Sequence, residues 1–111
     1  MPKLKLLPSL REKKRYLAYQ VLSPQPLSKD FSNHLFRHTQ RVLGLFDSAQ
    51  TGLQNVQYDA QKQKGVLRIG HKYVDKVRTA LILLQSYDSK EVLCRTLTVS
   101  GMLGKAKEKA T

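Results

Sequence analysis

Leu10–Ser23 reads LREKKRYLAYQVLS. Its second half alternates: Leu17, Tyr19 and Val21 fall on one face of an extended chain, and Tyr16, Ala18, Gln20 and Leu22 on the other. This predicts a first strand over Tyr16–Leu22. Its first half places Arg11, Lys13, Lys14 and Arg15 directly before that strand. Ser9 and Glu12 have the capping-box spacing, which predicts one helical turn over Leu10–Lys14 that would hold the cations on a defined surface. Residues 1–9, with Pro2 and Pro8, read as a basic arm.

Working outward, SPQPLS ends the strand, and Ser28 is placed to cap a long helix with Asp30 in its first turn. The expected apolar stripe is Phe31, Leu35, His38, Val42, Leu45, Phe46 and Ala49, with Gly52 as the stop. Leu53–Asp59 reads as strand two with Gln54, Val56 and Tyr58 on one face, DAQKQKG as a hairpin loop, and Val66–Gly70 as strand three. A second helix over His71–Leu84 would face Tyr73, Val77, Ala80, Leu81 and Leu84 inward. QSYDSKE is a loop, Val92–Val99 a β-branched fourth strand, and Ser100 a cap for a last basic helical turn. The order β-α-β-β-α-β is that of a ferredoxin-like or RRM-like α+β sandwich: one domain, a four-stranded antiparallel sheet, two helices on one face and a short C-terminal helix.

The charge narrows the partners. Twenty Lys and Arg face eight Asp and Glu, a net +12. Such self-repulsion is relieved beside a polyanion, with nucleic acid the first candidate, an anionic membrane surface the second, and a solubilising face the plain alternative. The single cysteine, Cys94, sits in an apolar run and reads as a buried structural thiol. No apolar run reaches the length of a membrane span and the N-terminus lacks a secretory apolar region, so a soluble cytoplasmic protein with no membrane partner is expected.

No catalytic residue and no metal site emerges. His34 and His38 are four apart on the first helix, but no HExxH pattern or cysteine pair completes a site, and His38 falls on the apolar stripe. His71, beside Lys72 at the start of helix two, is placed to touch phosphate or to cap. GKAKEKAT lacks the spacing of a P-loop, and no G-x-S-x-G is present. An RRM that reads single strands needs aromatics on strands one and three; here strand three offers Val66, Leu67 and Ile69, and Tyr16 and Tyr19 point to opposite faces. Many cations with few stacking platforms suit the phosphate backbone of a structured RNA. Arg68 and Arg95 lie within strands and must face solvent or a partner, while Lys105, Lys107 and Lys109 form a basic tail that is either a contact or a solvated end. A general structured-RNA or ribosomal-type protein, and a stand-alone metal-dependent nuclease using His34, His38 or His71, are the competing readings.

LPSLREKKRYLAYQV, QKGVLRIGHKYVDKVRTALILL and RTLTVSGMLGKAK, in this order and spacing, resemble the small basic protein subunit of archaeal and eukaryotic ribonuclease P, component 2 of the archaeal enzyme. The likeness runs from about Leu6 to Lys107. It implies an endoribonuclease in which the RNA subunit, with Mg²⁺, removes the 5′ leader of precursor tRNA. This polypeptide would need no cofactor of its own. The partners implied are ribonuclease P RNA, the barrel-type component 3, in a complex that can contain two copies of each, other protein subunits, and precursor tRNA through the holoenzyme. By motif, Arg11, Lys13, Lys14 and Arg15 carry over as an RNA-binding patch, and Arg68, Arg95 and Ser100–Gly101 as family positions of RNA-binding or structural role. Lys105 and Lys107 match loosely. Component 3 would meet either an apolar helix face or the sheet face with Tyr16, Ala18 and Leu22.

Overall fold

Strand β1 (Lys14–Leu22) is the centre of the architecture. The computed structural model describes residues 13–110, so the arm, the Ser9–Glu12 capping box and Arg11 lie outside the described residues. After β1 come α1 (Phe31–Thr51), β2 (Gln54–Asp59), β3 (Lys64–Gly70), a 3-10 turn (His71–Tyr73), α2 (Val74–Leu83), a small hairpin of β4 (Ser86–Tyr87) and β5 (Lys90–Glu91), β6 (Leu93–Ser100) and α3 (Leu103–Lys109). The main sheet runs β2-β3-β1-β6, antiparallel throughout. The expected β-α-β-β-α-β order and antiparallel sheet are therefore present. No helix among the described residues is long and apolar enough to cross a membrane.

The alternation of β1 sets the two layers. Leu17, Tyr19 and Val21 pack with Phe31 and Leu35 of α1, Leu67 and Ile69 of β3, Val77 and Leu81 of α2, and Cys94 of β6. Each large apolar side chain so buried contributes on the order of 1.5–3 kcal/mol. Burial pushes the Cys94 thiol up to about 12, which keeps it protonated and unreactive. On the other face Ala18 and Val66 are covered by Ala106 of α3 and Ala110 at its C-cap, with Tyr16, Val56, Leu97 and Leu103 around them. The basic tail is thus an ordered helix lying on the sheet. Small side chains on both sides let helix and strand approach closely.

Several local expectations change. Ser28 does not cap α1: its hydroxyl bonds the Tyr87 hydroxyl (3.0 Å), its carbonyl accepts the Phe31 N–H (3.1 Å), and Asp30 holds the cap position without a side-chain bond. QSYDSKE is not a loop but the β4–β5 hairpin, turning through Asp88 and Ser89, both at positive φ. Tyr87 stands edge-on to Phe31 at 5.1 Å and ties this hairpin to α1. The second helix begins as a 3-10 turn at His71 and is α-helical only from Val74. In β2 a bulge between Asn55 and Gln57 breaks the alternation, so Val56 joins the α3 side and Tyr58 the main core, not one shared face.

The stripe predicted along α1 holds only for its first half. Phe31, Leu35 and Thr39 are buried, but at Gly44 the backbone leaves helical geometry (φ 84, ψ 174). That positive φ resets the rotational phase of the helix. Leu45 and Phe46 consequently stand about four-fifths in solvent and Val42 is also exposed, not core as the spacing suggests.

Gly65 serves by its size. The Tyr19 ring crosses it, and a methyl there would stand 2.6 Å from Tyr19 Cζ and 2.8 Å from the Gln57 carbonyl oxygen. Gly65→Ala is therefore expected to lower stability by about 2–3 kcal/mol through overpacking, read as a fall in the urea midpoint at unchanged m-value.

Candidate nucleic-acid interface

The register of β1 gathers cations from three places in the chain. Lys14 pairs with Gly70, Arg15 with Ile69, and Tyr16 with both Arg68 and Ser100. The His71 N–H donates to the Lys13 carbonyl at 2.8 Å, and the ring Nδ1 lies 3.1 Å from the same oxygen. Lys13, Lys14, Arg15, Arg68, His71 and Lys72 thus share one end of the sheet with the Ser100–Gly101 turn. No ion pair joins any of them to a carboxylate among the described residues; the pair present, Lys76–Asp47 at 2.7 Å, lies between α2 and α1.

These side chains do different work. Lys13, His71 and Lys72 are exposed. Lys14 is half-buried, and its Nζ lies over Gly52, the left-handed C-cap of α1. An ammonium there meets the negative end of the helix dipole, so Lys14 secures α1 to β1. The Arg15 Nη1 donates to the Lys14 carbonyl (3.1 Å) and approaches Gly101. The Arg68 Nη1 donates to Gln54 Oε1 (3.3 Å), while its buried Nε has no hydrogen-bond partner among the described residues.

The other candidates lie elsewhere. Arg95 is at the opposite end of the sheet, paired in register with Gln20. Lys105 and Lys107 are exposed on α3, on the side of the sheet away from α1 and α2. Sequence reasoning missed Gln20 and Gln54 as arginine holders, and it missed that α3 covers the sheet. The signal for the second was present: Leu103, Ala106 and Ala110, at steps of three and four, are the inward stripe of a short helix.

The histidines of α1 are engaged in packing. His38 Nε2 lies 2.8 Å from the Ala80 carbonyl and links α1 to α2. His34 packs on the Tyr87 ring at 4.7 Å. No group of three or more His, Cys, Asp or Glu among the described residues could hold a metal ion. Lost hydration, then Arg41, His38 and Arg37, hold the His34 imidazole below the ordinary histidine range. A folded-state pKa below the unfolded one means that the unfolded chain binds the extra proton first. The contribution of His34 to stability is accordingly kept well above pH 6.5 and is lost as pH falls through that value towards the lowered folded one. Chemical denaturation of wild type and His34→Gln between pH 7.5 and 5 should show that slope shrinking in the variant.

Comparison with known proteins places these features. The family model described as Rpp14/Pop5 matches residues 15–111. Ribonuclease P protein component 2 of Pyrococcus abyssi is 35% identical over 109 residues, covering 96% of this chain and 92% of that protein. The protein of the same name from Thermococcus kodakarensis is 34% identical over 103 residues, covering 92% and 86%. A chain in the cryo-EM structure of yeast ribonuclease MRP shares the fold, with a TM-score of 0.63 at 14% identity over 84% of this chain and 77% of that one. The chain belongs to the Rpp14/Pop5 family.

Proposed function

We propose that this chain is a protein subunit of ribonuclease P that binds the RNA subunit and supports it in removing the 5′ leader of precursor tRNA. The observation that carries this reading is a cluster of cations fixed on one end of a sheet, with no ion pair to a carboxylate among the described residues, in a chain of this family. RNA segments folded against each other repel through their phosphates. Cations held at set positions lower that repulsion and release counterions on binding. In this reading the polypeptide positions and the RNA subunit, with Mg²⁺, hydrolyses.

The packing also bears on the two faces offered to a protein partner. Tyr16 and Ala18 lie under or beside α3, and Ala18 is fully buried. Leu22 of the sheet face stays 41% exposed, but the most exposed apolar side chains are on α1 beyond Gly44, Leu45 and Phe46, with Val42 nearby and a cleft lined by Leu43, Asp47, Asp75, Lys76 and Thr79 beside them. We assign this helical face to component 3.

Reconstitution tests the function. Cleavage of precursor tRNA by the RNA subunit and component 3 should rise when this chain is added, and the chain alone should not cleave. Equal activity with and without it would end this reading. Lys13→Gln with Lys72→Gln should weaken RNA binding and reduce the slope of log K against log salt by just under one unit for each phosphate no longer neutralised. Phe46→Asp should abolish capture of component 3 at an unchanged Tm, because the ring is about four-fifths exposed.

A further inference from the structure

The far end of the sheet carries a second polar row. Lys64 of β3, Gln20 of β1 and Arg95 of β6 stand in register across three strands. Gln20 Oε1 accepts from Arg95 Nε (3.2 Å) and Nη2 (2.8 Å). The amide thereby holds the exposed guanidinium by its Nε and Nη2 edge and leaves the Nη1 N–H groups outside that contact, a fork that suits an oxyanion. Gln20 is neutral, so the full positive charge remains. Asp59 is the register partner of Lys64, but its Oδ1 already accepts the Gln61 and Lys62 N–H groups of the hairpin turn.

One row further on the same face, Leu22 and Leu93 are register partners, 41% and 51% exposed. Ala106 of α3 and Ala110 at its C-cap pack two rows back, on Ala18 and Val66, and these leucines stay exposed. From Lys14 to Gln20 is six residues of strand, about 20 Å. One phosphate cannot touch both ends.

We propose that Arg95, oriented by Gln20 and flanked by Lys64, is a second RNA-phosphate contact, separate from the Lys13–Lys72 end, so that one chain bridges two segments of its RNA. Leu22 and Leu93 pack against the sugar or base attached to that phosphate. RNA is favoured over a protein partner because Arg95 forms no ion pair among the described residues, in a chain of net charge +12. Two contacts on one rigid sheet raise affinity by making the second intramolecular. This inference rests on the RNA-binding reading above.

The test uses the full chain and a ribonuclease P RNA transcript, with affinity measured across a salt series. Arg95→Gln should weaken binding about tenfold and reduce the salt slope by just under one unit. Adding Lys64→Gln should remove nearly another. Gln20→Ala keeps the charge and should weaken binding while leaving the slope, the mark of a positioning residue. A photo-crosslinking phenylalanine analogue at Leu93 should join RNA at nucleotides distinct from those joined from His71. If Arg95→Gln changes nothing while Lys13→Gln with Lys72→Gln lowers the slope, the second contact is overturned and the RNA reading stands. If the wild-type chain binds no RNA, both fall. Crosslinks from Leu93 to another protein in the holoenzyme, or to the same nucleotides as from His71, overturn the bridge.

Discussion

Everything in this molecule depends on β1 being paired on both edges and packed on both faces. Its neighbours β3 and β6 hold its backbone, Leu17, Tyr19 and Val21 fill the layer under the helices, and Ala18 admits α3 on the other side. A strand confined in this way has one register available to it, because a slip of one residue would exchange the large and small faces. The cations at its start inherit that precision. Lys13, Lys14 and Arg15 stand against β3 and the turn that follows it as consistently as Leu17 stands against Leu67.

The basic composition then resolves into separate tasks. Lys14 answers the carbonyl end of α1, and Lys76 answers Asp47 between the helices. Arg68 and Arg95 are each steadied by a glutamine, which orients a guanidinium without cancelling its charge. In the proposed RNA contacts a neutral holder has an advantage. A carboxylate partner would compete with phosphate, whereas an amide leaves the charge to be met by the ligand.

Sequence reading recovers the order of elements and the end of the sheet where charge collects, because both follow from local patterns: the alternation of β1, the β-branched run of β6, and cations adjacent to a strand. It fails where one residue changes the phase of a pattern. Gly44 lies inside an unbroken helical stripe, yet its positive φ turns Leu45 and Phe46 outward. The bulge at Val56 similarly divides Val56 from Tyr58. The position of Ser28 predicts a cap, but Tyr87, 59 residues away in sequence, claims its hydroxyl. The partnership of Arg95 with Gln20 needs the register of two strands 75 residues apart, which no local spacing encodes.

The bulge in β2 has a consequence beyond the direction of two side chains. β2 and β6 are the outer strands of the main sheet, and such strands offer rows of backbone donors and acceptors to any extended chain nearby. An extra residue at Val56 interrupts the even spacing of that row on β2 and sharpens the local twist. A foreign strand laid along this edge would find its ladder broken after two residues. An irregular rim of this kind hinders edge-to-edge pairing between copies of the chain.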